Sequence, residues 1–373
     1  MDTKRNGKST GRPTRLNDTP VAPLQRFLCR DCGRSFTTGR QTARRGSQFA
    51  DEVAREAVRL YVQGLPSYRT LATLLEARIG RSVSRFTLNR WVDTAGAAAK
   101  TPLMVSAELA PPDWGGVLGV DGKVIRVSGD KACLLIAVDH PTQDIVHALV
   151  LPKEDGAGFD RLVREVVVAA GYPLQGLVSD LGGGFLEAWR DGLARVPFQA
   201  CRIHYDRHLD QYVPKVKRSA KAALHAEFKA RLRAVVYADS YDQACQLWYR
   251  LSAERARFAG IGGRQNALVA LESKFGLYTA HHRFPQPPAD NNVAENVIKQ
   301  LGKKLRLMEG FASLESAERF CRLLIGCYRF KRFTDSRRNG GNGRSPLEHA
   351  GVRLPTQDWL DYLLTAAQQQ HQI

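Results

Sequence analysis

The sequence predicts an α/β protein, with a mixed sheet flanked by helices, an α-helical insertion and an N-terminal three-helix unit. Three observations predict it. After residue 113 the apolar pattern reads three strands, a helix, a strand, a helix and a further strand. Residues 48 to 100 carry helical spacing with three capped starts. The 115-position interval from Asp180 to Glu295 is filled mostly by helical segments, more than a compact sheet domain needs.

In chain order, residues 1–25 are basic and polar without periodicity and read as an unstructured tail. Residues 26–46 contain FLCRDCGRSF, a Cys-x-x-Cys-Gly knuckle at Cys29 and Cys32. It has half of a zinc ribbon's ligands, because structural zinc takes four and no second pair follows. Residues 47–100 hold the three helices. The first carries Val53, Ala57, Leu60 and Tyr61 at helical spacing and ends at Gly64. Ser67 is placed to cap the second, with Leu71, Leu74 and Leu75 inward, and Ser84 to cap the third. Leu88, Trp91 and Val92 turn to the core, leaving Arg85, Thr87, Asn89 and Arg90 outward. Two short helices, a turn and a basic third helix outline a helix-turn-helix; an ordinary three-helix bundle is the alternative. Ala95 to Pro112 reads as a linker.

Residues 113–212 begin the sheet. In GGVLGVDGKVIRV an apolar, β-branched strand carries Asp121 at its middle. A buried carboxylate is costly without a partner, so Asp121 is either a turn residue of an Asp-Gly hairpin or a metal ligand. KACLLIAVDH and DIVHALVL continue as antiparallel strands, followed by the helix GFDRLVREVVVAAG. LQGLVSD then ends at Asp180, at the carboxyl end of its strand, where open α/β sheets place their sites. A parallel neighbour would bring it to Asp121; an Asp before glycines is also an ordinary turn residue. PFQACRIH reads as one more strand. Residues 213–288 form the helical insertion; from 201 to 260 they and their approach carry 12 Lys and Arg against 6 Asp and Glu. Residues 289–350 open with PPADNNVAENVIKQLGKKLRL, where Asn292 as N-cap would leave Glu295 in a capping-box position. The same helix carries Lys299, Lys303, Lys304 and Arg306, and Lys299 shares a face with Glu295. SAERFCRLLIGCYRFKRF reads as a core helix and SPLE as a short one; 351–373 is a tail.

The net charge of +18 points to a polyanionic partner, most simply DNA. No apolar run approaches the roughly 20 residues of a membrane span, no signal peptide opens the chain, and seven scattered cysteines suit a reducing cytoplasm.

These motifs, in this order, resemble the Mutator-like branch of the DDE transposases. GVDGK and VSDLGGGF look like the two aspartate motifs, CRIHYDRHLDQ like a Cys-x-x-His motif at Cys201 and His204, and NNVAEN like the segment with the third acidic residue. The resemblance covers most of the chain and implies a ribonuclease H-like core with Asp121, Asp180 and Glu295 as catalytic metal ligands. It implies Mg²⁺ or Mn²⁺ as cofactor, terminal inverted repeats and target DNA as partners, and a homo-oligomer on DNA. Arg85, Thr87, Asn89, Arg90, Lys299, Lys303, Lys304 and Arg306 are the candidate DNA contacts, and Cys29 and Cys32 a zinc site. A DNA-binding relative without catalysis, or a nuclease without strand transfer, are the alternatives.

Overall fold

The computed structural model describes residues 2–9, 14–16, 24–37, 48–64, 66–109, 112–182, 184–214, 222–336 and 340–365. At the N-terminus β1 (Thr3–Ser9), β2 (Leu24–Cys29) and β3 (Ser35–Thr37) form an antiparallel sheet in sequence order. The stretch 1–25 is therefore not unstructured throughout, because β1 pairs with β2 from Thr3↔Cys29 to Ser9↔Leu24. The rest of that expectation, at residues 1, 10–13 and 17–23, lies outside the described residues, as do 38–47 of the knuckle region and 366–373 of the tail.

Three helices follow, α1 (Asp51–Gln63), α2 (Tyr68–Ile79) and α3 (Arg85–Ala98). Ser67 and Ser84 accept hydrogen bonds from Thr70 N–H and Thr87 N–H, the caps the sequence predicts. Leu74 departs from expectation: it is about half exposed while Leu71 and Leu75 are buried. The expected linker is largely helix. α3 runs to Ala98, and Thr101 caps α4 (Pro102–Glu108), with proline at its first position.

The central sheet is built by β4 (Val117–Val127), β5 (Asp130–Asp139), β6 (Ile145–Leu151), β7 (Gly176–Ser179) and β8 (Phe198–Ala200) in the order β6-β5-β4-β7-β8. β5 is antiparallel to both β4 and β6; β7 lies parallel to β4, and β8 parallel to β7. Alternation along the strands divides two cores. Leu134, Ile136 and Val138 face one side, with Ile125, Val127 and the helices α1, α3, α12 (Asn292–Leu307), α13 (Leu314–Phe330) and α15 (Trp359–Leu364). Leu118, Val120, Leu135 and Ala137 face the other, against α5 (Gly156–Ala169) and α6 (Phe185–Ala188). The N-terminal helices thus share the core of the sheet domain. Gly96 makes this possible, because a Cβ there would meet the Arg319 carbonyl of α13.

α7 (Arg202–Tyr212) precedes the expected insertion, and α8 (Ala222–Val236), α9 (Tyr241–Ala253), α10 (Arg264–Tyr278) and α11 (Ala280–Arg283) lie within it. It has its own core around Phe228, Leu232, Phe258 and Leu271. The strand expected through His204 stops at Ala200; Cys201 is the N-cap of α7, so His204 stands on a helix. Near the C-terminus, Ser345 and Glu348 close a capping box on α14 (Pro346–His349). Within the 351–373 tail, α15 buries Trp359, Leu360 and Leu363.

Candidate active site

Asp121 and Asp180 are brought side by side by strand register. β4 and β7 pair in parallel from Val117↔Gly176 to Val120↔Ser179; Asp121 is the next residue on β4 and Asp180 the first residue after β7. Leu118 and Val120 point into the α5 core, so Gly119 and Asp121 face α12. Gly119 is needed there, because a Cβ would lie 2.7 Å from the Asn291 side-chain oxygen and 3.2 Å from the Ala294 Cβ. That close approach sets the start of α12 against the strand carrying Asp121.

Glu295 comes from the first turn and a half of α12 and is buried, with 6% of its surface exposed. The capping-box reading does not hold. The N-cap is Asn291, and Glu295 is one residue past the capping-box position, its N–H donating to Asn291 C=O at 3.1 Å. The Asn291 side chain caps nothing; its Nδ2 donates to Val120 C=O at 3.0 Å, and its N–H donates to Cys201 Sγ at 3.3 Å. Cys201 N–H in turn donates to Ser179 C=O at 2.9 Å. Cys201 and Asn291 therefore tie the ends of β4 and β7 to the starts of α7 and α12. Cys201 is buried, and its burial pushes the thiol up, so it acts as a neutral fastener at this junction.

His204 lies between two of the carboxylates. Its Nε2 is 3.9 Å from Asp180 Oδ2 and its Nδ1 is 3.3 Å from Glu295 Oε1. Arg207 Nη1 lies 2.8 Å from Nε2, and a guanidinium only donates, so Nε2 is the acceptor and Nδ1 carries the proton. Arg207 also donates to Glu295 Oε2 at 3.1 Å, and Lys299 stands 3.8 Å from the same oxygen. Glu295 Oε1 is buried and makes no hydrogen bond, the contact to His204 being poorly aligned.

The charges are felt across the site. Burial, then the neighbouring Asp180 and more weakly Glu295 and Glu154, push Asp121 up to about 7. Glu154, before α5, is a fourth carboxylate that the sequence reading missed. Burial and then Asp180 raise its carboxyl, and a Cβ on Gly122 would lie 2.7 Å from its Oε2. In sequence it reads as a turn residue in LPKEDGAG, and nothing local distinguishes it. Asn291 was equally hidden beside Asn292.

Clustered carboxylates that repel one another, with a buried oxygen lacking a hydrogen bond, are a donor set suited to a hard divalent cation. Asp121, Asp180 and Glu295 supply such carboxylates, with Glu154 at the rim, but their oxygens do not all come within 4.8 Å of one another, whereas ligand atoms of Cys201, His204 and Glu295 do. To bind a metal there, Cys201 would have to release the Asn291 N–H and His204 the Arg207 guanidinium. Cys29 and Cys32 sit on the β2–β3 turn, one buried and one exposed. Backbone N–H groups of Cys32 and Asp31 lower the Cys29 thiol. Among the described residues they belong to no group of three ligands, so the four-ligand requirement of structural zinc is unmet.

The predicted DNA contacts fare unevenly. Arg85, Asn89 and Arg90 are exposed on α3 and Thr87 is half-buried, its hydroxyl against Ser84 Oγ at 2.9 Å. Phe86 stands among them 86% exposed, an aromatic on this face that the pattern did not single out. Lys299, Lys303 and Arg306 form an exposed stripe on α12. Lys304 is a correction, because it is buried. Its Nζ lies 3.6 Å from the centre of the Tyr61 ring and donates to Pro66 C=O at 3.3 Å. Burial lowers its amine to about 8. It pins α12 to the α1–α2 turn and is unavailable to DNA.

The fold is thus an α/β sheet with Asp121 and Asp180 at the end of a parallel strand pairing and Glu295 on a helix that also carries exposed basic residues. Residues 2–328 match the model of the Mutator family transposases, and the chain belongs to that family. No curated protein matches the chain. No helix among the described residues is long and apolar enough to cross a membrane.

Proposed function

We propose that this transposase is a DDE enzyme with a ribonuclease H-like core, cutting DNA at the ends of its element and joining the 3′-hydroxyl ends to target DNA. The observation that carries the reading is the convergence of Asp121, Asp180 and Glu295 from three distant parts of the chain. The five-stranded order with β5, second from one edge, as the single antiparallel strand supports the core assignment.

Asp121, Asp180 and Glu295 would hold Mg²⁺ or Mn²⁺, with Glu154 as a rim carboxylate. Such ions, when bound, supply activation of the attacking oxygen and charge stabilisation of the leaving one. The protein's own groups do the positioning. Asn291 and Cys201 fix the carboxylate-bearing elements relative to one another. Arg207 and Lys299 neutralise Glu295 and, being more than half exposed, are free to turn toward a phosphate. His204 stands between Asp180 and Glu295, its Nδ1 3.3 Å from Glu295 Oε1. The exposed face of α3 would read the terminal repeats, as a helix-turn-helix does, with Arg85, Asn89, Arg90 and the protruding Phe86. Two copies acting on two ends would form the working assembly.

The test is cleavage and strand transfer on DNA taken from the ends flanking the coding sequence, with Mg²⁺. Wild type should cut and join. Asp121→Ala, Asp180→Ala and Glu295→Gln should lose at least 10³-fold in rate while still binding the DNA, consistent with metal-dependent phosphoryl transfer. Glu154→Gln should lose roughly tenfold. Full activity in Asp121→Ala would sink the assignment.

A further inference from the structure

Two helix starts meet at the Cys201 junction, and three ligand-bearing side chains meet with them. Cys201 is the N-cap of α7 and His204 its third residue, so their side chains rise at the same end of the helix, as the members of a capping box do. The Asn291 N–H on Cys201 Sγ brings the first turns of α12 alongside, and Glu295 with them. One ligand atom each of Cys201, His204 and Glu295 lies within 4.8 Å of the others. Two polar atoms here are unpartnered. His204 Nδ1 and Glu295 Oε1 are buried without a hydrogen bond, although only 3.3 Å apart. Buried polar atoms left unbonded are costly, and a cation held between these two would satisfy both. Their spacing also fits one. Zinc bonds of about 2.0–2.2 Å at the tetrahedral angle set a nitrogen and an oxygen about 3.3–3.5 Å apart.

We propose that Cys201, His204 and Glu295 form a zinc site, distinct in donor chemistry from the hard-cation site at Asp121 and Asp180, and that zinc there withholds Glu295 from those aspartates; the second half rests on the proposed function. Sulfur, nitrogen and oxygen together select an ion of the zinc class over Mg²⁺, which keeps to oxygen. Three protein ligands leave the fourth tetrahedral position to water. On binding, zinc displaces the Cys201 thiol proton to solvent. The His204 proton passes from Nδ1 to Nε2 as Arg207, 54% exposed, turns outward. Nε2–H then faces Asp180 Oδ2, 3.9 Å away, as a zinc-bound imidazole ordinarily faces a carboxylate behind it. The losses are the Asn291 bond to sulfur and the Arg207 bond to His204, two hydrogen bonds against three metal–ligand bonds. With Oε1 on zinc and Oε2 beside Lys299, Glu295 has neither oxygen left for a second ion.

The experiment titrates the metal alone into the full chain without DNA. Zn²⁺ is measured against a chromophoric chelator, and Co²⁺ replaces it for spectroscopy, because thiolate ligation gives a sulfur-to-cobalt charge-transfer band that oxygen ligation does not. Both are done in a Cys29→Ser, Cys32→Ser background, which removes the knuckle thiols. That protein should take up zinc and show the band. Cys201→Ser should abolish the band, and Cys201→Ser and His204→Gln should each weaken zinc at least tenfold. Asp121→Asn, outside the trio, should change zinc affinity less than about twofold. His204→Gln keeps the test decisive even where Cys201→Ser perturbs the junction. No zinc uptake, a band that survives in Cys201→Ser, or a loss in Asp121→Asn equal to that in His204→Gln would each overturn the site. Zinc added to Mg²⁺-dependent end cleavage should inhibit over the range in which it binds, and His204→Gln should need at least tenfold more. Inhibition at the same zinc concentration in both would overturn the withholding of Glu295. Absence of Mg²⁺-dependent cleavage without zinc would strike the proposed function and the withholding with it, while the zinc site stands on its own titration.

Discussion

Asp121 carries the largest consequence at the scale of single residues. Its carboxyl, held near 7 by burial and then by Asp180, would ionise near 4 in the unfolded chain. Between those values the folded, metal-free protein binds the extra proton, so its stability falls as pH rises from about 4 to 7 and levels above 7. Asp121→Asn should flatten that slope and raise the metal-free protein's stability at pH 8 by about 1–3 kcal/mol, measured by urea unfolding across pH. An unchanged slope in the variant would contradict the assigned environment. Lys304 and Lys303 make a second contrast. Adjacent in sequence, one is buried on Tyr61 and the other exposed. Lys304→Met should leave DNA affinity within about twofold, whereas Lys303→Ala should lower it and reduce its salt dependence. Asp121, Asp180 and Glu295 were legible in the sequence as candidates because the Asp, Asp and Glu motifs stand out. The roles of Lys304, Glu154 and Asn291 were not, because each depends on which face a neighbouring element covers.

Among elements, helix register decided what the sequence left ambiguous. A one-residue shift of the N-cap from Asn292 to Asn291 takes Glu295 out of the capping box and turns it toward Arg207 and His204. Cap chemistry at Ser67 and Ser84 was readable because a serine before an apolar period is a local signal. The helix in the supposed linker was not, since its Ala-rich and Pro-containing sequence lacks periodicity and its stability comes from packing. Close backbone approaches were likewise invisible. Gly96→Ala should cost about 1–3 kcal/mol in urea unfolding, because α3 and α13 meet where the added methyl would stand. A cost below about 0.5 kcal/mol would show that the contact is loose.

On the scale of the whole molecule, the three-helix unit, the sheet and the late helices share one core, so the N-terminal helices and the sheet are packed as one body. The separate helical core of the insertion lies on the far side of the Cys201 junction. The order of strands was legible from alternating apolar runs and short turns. The sharing of a core was not, since helices α1 to α3 have faces that would equally suit an independent bundle. Lys299, Lys303 and Arg306 lie exposed on the helix that carries Glu295. Replacing Lys299, Lys303 and Arg306 by alanine together should reduce the slope of log affinity against log salt by about 2–3 for end DNA.

The central claim is that Asp121, Asp180 and Glu295 form one divalent-metal site. Mn²⁺ titration followed by electron paramagnetic resonance on the DNA-bound protein tests it most directly. The account predicts about two bound ions per chain in wild type, as for a two-metal phosphoryl-transfer site, and loss of at least one in Asp121→Asn and in Glu295→Gln. Wild-type stoichiometry and affinity in both variants would contradict it.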